Sequence, residues 1–127
     1  MKIWVDDVRP APDGYRWCKS VNETIRLIEA AEKCIERQMN LGHEKFLNHN
    51  FAGRSICYNH ANYVDIELID LDHDSGDYHQ DGGDYIRILD YLEMTGRNYP
   101  IRLHTANPVG RENMTRIVRK NGWKLVH

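Results

Sequence analysis

Apolar positions along the chain fall into short blocks whose period switches between two and about three and a half, which is the signature of alternating strands and helices. Lys2 to Val5 is a β-branched and aromatic run that ends in Asp6-Asp7, and Pro10, Pro12 and Gly14 break the chain behind it, so a strand followed by a rigid loop is predicted. Tyr15 to Lys19 is a second, weaker strand candidate. Ser20 and Glu23 form a capping box, and Ile25, Ile28, Ala31 and Ile35, with Leu27 and Ala30, recur at a helical period to about Glu36. Residues 38 to 62 are rich in Asn, His and Gly and read as an insertion with at most one short helix. Val64 to Leu71 alternates and then turns apolar on both faces, as a buried strand does. Tyr85, Ile88, Leu89 and Leu92 predict a helix over Asp84 to Met94, stopped at Gly96. Pro100 to His104 follows as a short strand with Ile101 and Leu103 on one side. Asn107-Pro108 has the chemistry of a helix start, with Val109, Met114, Ile117 and Val118 as its buried stripe, and Trp123 to Val126 closes the chain as a strand.

This alternation predicts an α/β fold: a doubly wound, mostly parallel five-stranded sheet with a shortened first crossover, forming one domain over residues 1–127 with the 38–62 insertion inside it. Composition agrees, since 127 residues with 41% hydrophobic and 28% charged side chains suit a single compact core. The chain has no long apolar run and its first residues no signal-peptide core, so a membrane span is excluded and a cytoplasmic protein expected. Cys18, Cys34 and Cys57 are an odd set that fits free thiols in a reducing compartment.

The net charge of -2 conceals a division. Asp70 to Asp84 holds six aspartates and no Lys or Arg, whereas Arg97 to His127 holds seven Lys or Arg and one acid, Glu112. In an open parallel sheet the functional crevice lies at the carboxyl ends of the strands. Here three strands end in Asp6-Asp7, in Asp70-Leu71-Asp72-His73-Asp74 and in His104-Thr105-Ala106-Asn107. Carboxylates meeting there repel one another unless a cation neutralises them, and Asp6, Asp7, Asp72 and Asp74 are the expected ligands of Mg²⁺ or Mn²⁺. The competing reading is a solvated acidic loop. A calcium loop over Asp70 to Asp81 fits poorly, because its twelfth position is Asp81 rather than Glu.

His73 and His104 beside these acids are candidates for a general acid, with His104 the better placed, against the simpler role of bonding at a strand edge. The helix start at Asn107 attracts anions, and Arg111 in its first turn would complete a phosphate seat unless it is an ordinary surface arginine. Arg9 is either a second phosphate clamp or a partner of Asp6. Cys57 and His60, with His43 and His49, are too irregularly spaced for a zinc site, and the insertion is expected to lid the rim or to form a protein-partner surface.

Asp-Asp after the first strand, an aspartate after a central strand and Thr-Ala after the next resemble the acidic pocket of response-regulator receiver domains. Asp6-Asp7-Val8-Arg9-Pro10, Leu71-Asp72-His73-Asp74 and His104-Thr105-Ala106-Asn107-Pro108-Val109-Gly110 are similar more specifically to the cyclic-phosphate processing receiver domain. The resemblance implies a flavodoxin-like fold and the processing of cyclic phosphate ends, with a phosphate ester such as an RNA end or cyclic nucleotide as ligand. It implies that Asp6 and Asp7 are the metal pair, that Asp72 holds the phosphoacceptor position and that Thr105 supplies the hydroxyl that meets the phosphoryl group. Two departures stand out. No Lys-Pro follows the last strand, Lys124 lying inside it, and the loop after the first strand is too short for a helix. The missing lysine counts against the alternative of a signalling module phosphorylated at Asp72; a protein-interaction module degenerate at Asp72 is the further alternative.

Overall fold

The computed structural model describes residues 1–44 and 65–127, with residues 34–44 described by their backbone alone. Five strands form one parallel sheet: β1 (Lys2–Val5), β2 (Tyr15–Cys18), β3 (Leu68–Leu71), β4 (Ile101–Leu103) and β5 (Leu125–Val126), in the order β2-β1-β3-β4-β5. Helices α1 (Val21–Glu44), α2 (Ile86–Met94) and α3 (Pro108–Lys120) connect them. The expected fold class is the observed one, and the order reverses direction at β1 as a doubly wound sheet requires.

Helix coverage is uneven for a topological reason. The connections β2 to β3, β3 to β4 and β4 to β5 all advance the same way, so right-handed crossovers put α1, α2 and α3 on one face. One cluster accordingly joins Ile3, Val5, Ile69, Leu71, Ile101 and Leu103 of the sheet to Val21, Ile28, Leu89, Leu92, Met114 and Val118 of the helices. The β1–β2 connection runs the other way and contains no helix. Its loop instead folds against the second face, where the Trp4 indole donates to the Arg9 carbonyl and the Trp17 indole to the Asp6 carbonyl. Strand alternation places Trp4, Asp70 and Arg102 on that second face.

Several expectations shift. Helix α1 runs to Glu44 rather than about Glu36, so it takes up the first residues of the supposed insertion. Its buried line is Val21, Thr24, Ile28 and Ala31, with Ala30 exposed. The capping Ser20 accepts from the Glu23 amide, but Glu23 reaches back to the Lys19 amide, one residue before the expected one. Strand pairing begins at Leu68, not Val64, which lies outside the described residues together with the rest of the insertion and the side chains of Cys57, His60, His43 and His49. In α3, Val109 points to solvent, and Gly110 with Met114 and Val118 makes the inward line. Trp123 is buried beside α3 rather than in a strand. Cys18 is a buried thiol whose pKa burial pushes up to about 11, which keeps it unreactive.

Glu32 ties α1 to the segment before β4: Arg97 donates to both its oxygens at 2.8–2.9 Å and the Tyr99 hydroxyl to one of them. The Arg97 hydrogen bonds, opposed by burial and aided by Tyr99, hold its carboxyl below the ordinary glutamate value. A carboxyl depressed in the folded state stabilises the fold above its unfolded pKa and loses that contribution as pH falls through the folded value. Glu32→Gln is therefore expected to lower stability at neutral pH and to flatten the decline in acid, as read from urea midpoints between pH 3 and pH 7.

Candidate functional site

The carboxyl ends of β1, β3 and β4 bring two groups of side chains to one rim, sorted by strand alternation. Asp6, Asp70, Asp72 and His104 continue the helix-free side, whereas His73, Asp74, Thr105 and Asn107 gather towards α3.

On the first side, His104 bridges two buried carboxylates. Its Nε2 lies 2.9 Å from Asp6 Oδ2 and its Nδ1 lies 2.7 Å from Asp70 Oδ1. Each ring nitrogen thus faces a carboxylate oxygen. The ring also stacks on Trp4, with centroids 3.8 Å apart and planes 3° from parallel. Asp6 is 1% exposed, and its other oxygen accepts from the Val8 and Arg9 amides at 2.9 and 2.8 Å. Burial would raise its pKa, but those two amides and His104 overcome it, so the carboxyl titrates below its usual range. Asp70 is fully buried, and its Oδ2 has no hydrogen-bond partner among the described residues, with Arg102 lying 3.8 Å away.

Ligand atoms of Asp6, Asp72 and His104 all lie within 4.8 Å of one another, close enough to share one cation. Two carboxylates and an imidazole suit Mg²⁺ or Mn²⁺, and the imidazole favours the second. Asp7, expected in the same set, is not one of these three, although its carboxyl lies beside that of Asp6, and Gly76 covers it so closely that any Cβ there would strike its carboxylate. Burial, then the charges of Asp6 and Asp72, raise its pKa. The structure separates Asp74 too: it groups with His73 and Asp84.

On the second side, His73 Nδ1 is 2.8 Å from Asp74 Oδ1, and the ring lies so close to Gly110 that a side chain there would collide with it. Asn107 caps α3 as expected, its Oδ1 accepting from the Gly110 amide at 2.9 Å, and its amide nitrogen lies 3.4 Å from Asp74. The Thr105 hydroxyl oxygen accepts from the Asn107 amide, which fixes it at the end of β4.

Arg9 lies beside Asp6 and reaches the rim. Its guanidinium donates to the His104 carbonyl and lies 3.9 Å from Asp6 Oδ2, while half exposed at the rim. Arg111 points elsewhere, donating to the carbonyls of Leu103 and Thr105. Pro108 brings no N–H, and the Gly110 and Arg111 amides are bonded to Asn107, so the helix start serves its own cap. The acidic stretch also has structural duties: Asp81 bonds Ser20 and Asn22 at the start of α1, and Asp84 bonds Ser75. Lys124 precedes β5 and therefore sits at the amino rim of the sheet, opposite Asp72.

A parallel sheet in this order with acids at its carboxyl rim defines a receiver-like domain. The chain belongs to the Cyclic-phosphate processing Receiver domain family, whose sequence profile matches residues 1–120. No curated protein and no solved structure matches it. No helix among the described residues is long and apolar enough to cross a membrane.

Proposed function

We propose that this domain holds a divalent cation, Mg²⁺ or Mn²⁺, at its carboxyl rim and uses it to bind and open cyclic phosphate esters such as a 2′,3′-cyclic phosphate end. The observation that supports this most is the convergence of Asp6, Asp72 and His104 within the span of one coordination sphere. When bound, such a cation supplies charge neutralisation for the phosphoryl oxygens and acidifies water.

The chain's own residues supply the rest. Thr105, its oxygen engaged by the Asn107 amide, supplies the hydroxyl for a phosphoryl oxygen. Arg9 offers a half-exposed guanidinium beside Asp6. Proton delivery to the leaving ribose oxygen falls to His73 rather than His104. His104 has both nitrogens committed to carboxylates, whereas His73 is held at one nitrogen by Asp74 and braced against Gly110, the arrangement in which a carboxylate orients an acid–base histidine.

Millimolar Mn²⁺ or Mg²⁺ is expected to raise the melting temperature, and Asp72→Ala to abolish the rise. Because carboxylate and imidazole ligands bind a metal only when deprotonated, the rise should shrink as the pH is lowered. A melting curve unmoved by either metal would leave the acids as a solvated loop.

A further inference from the structure

The basic half of the chain is not spread evenly but lines two adjoining clefts. The larger, about 700 Å³, runs along the outer side of α3 between Pro108 and Lys120, and the second, about 440 Å³, lies between α3 and the β4–β5 strands. Arg111, Thr115 and Arg119 border both. Spaced at i, i+4 and i+8, they form one ridge that spans about 12 Å. Arg116 and Lys120 flank it in the first cleft, and Arg102, whose guanidinium is turned towards Asp70 at 3.8 Å, borders the second. Glu112 is the acid in these linings, paired with Arg116 at 3.2 Å, and Lys120 reaches Glu93 at 3.5 Å. Arg119 has no carboxylate partner among the described residues, and Arg111, also without one, donates to the Leu103 and Thr105 carbonyls.

We propose that these clefts form a track for the phosphodiester backbone of a single polynucleotide strand. A ridge of repeated guanidinium groups matches a ligand whose negative charge also repeats, which a lone phosphate or a singly phosphorylated peptide does not. The linings carry no Trp, Tyr or Phe, so the contact is electrostatic rather than base stacking and is indifferent to sequence. The track starts at Pro108 and Arg111, directly after the Asn107 cap at the acidic rim, so a strand lying along it has an end near that rim.

The proposal stands apart from the cyclic-phosphate reading, and its test keeps the two separable. Fluorescence anisotropy with a labelled single-stranded oligonucleotide ending in a plain 3′-hydroxyl, in buffer free of divalent cations, engages the track without the rim chemistry. Affinity is expected to fall steeply with salt, and Arg116→Ala/Arg119→Ala to weaken binding by at least about fivefold and to reduce the slope of log K against log salt by about 1.4, near 0.7 for each lost phosphate contact. Lys33→Ala, on the exposed side of α1, should change neither. RNA and DNA of the same length should bind alike. Absence of binding at low salt, an equal loss in the double variant and the Lys33 control, or duplex binding as tight as single-strand binding would overturn the assignment.

Discussion

His104→Ala is expected to destabilise the domain by about 3–5 kcal/mol, the range found when one member of a buried charge network is removed. Asp6 and Asp70 are 1% and 0% exposed and share this one imidazole. Without it, Asp70 keeps no hydrogen-bond donor at either oxygen, because its Oδ2 is already unpartnered. Asp6 retains the Val8 and Arg9 amides, so Asp70 should be the more damaged of the two. Adding Asp70→Asn to His104→Ala removes the orphaned charge and is expected to restore at least about 1 kcal/mol, a departure from additivity characteristic of groups in direct contact. Urea denaturation of the four proteins measures it. A single-variant loss below about 1 kcal/mol, or strictly additive effects, would mean that His104 is not the group that holds the two acids together.

His73→Ala is expected to lower turnover of a 2′,3′-cyclic nucleotide by roughly 10²- to 10⁴-fold, the usual consequence of losing a general acid, while leaving the urea midpoint nearly unchanged. The second half of this expectation separates it from the first: His73 sits at the rim with one carboxylate partner, Asp74, that is itself exposed to water. Asp74→Asn should move turnover in the same direction, since it alters the group that orients the ring. Turnover within about threefold of wild type in His73→Ala would return the acid's role to another group.

Much of this arrangement was legible in the chain. The α2 stripe of Tyr85, Ile88, Leu89 and Leu92 is fully buried as its period predicts, and Asn107-Pro108 begins α3 as its chemistry predicts. Such features are local, and local features are what a single sequence carries. Helix α1 was read too short because its apolar residues thin out beyond Ile35 while the backbone continues to Glu44. Val109 was placed in the core by hydrophobicity, whereas the inward position belongs to Gly110, where only the absence of a side chain leaves room for His73.

Asp70 is the residue that sequence reasoning passed over. It lies inside a strand, where an aspartate looks like one more member of an acidic run. The available signal was alternation: Asp70 and Asp72 share one side of β3, as Trp4 and Asp6 share one side of β1 and Arg102 and His104 one side of β4. The same rule splits the expected single pocket in two, because Asp7, His73 and Thr105 are each one residue out of phase with the acid–imidazole group. The missing first helix completes the account, leaving the β1–β2 loop and the stacked Trp4–His104 pair on a face that an additional helix would otherwise cover.

The most direct test incubates the purified protein with 2′,3′-cyclic CMP and Mn²⁺ and follows the nucleotide by chromatography. Opening to a monophosphate that requires the metal, and that is lost in both Asp72→Ala and His73→Ala, is the expected result. A cyclic ester left intact by the wild-type protein across Mg²⁺, Mn²⁺ and a range of pH would contradict the assignment of the rim as a phosphoesterase site.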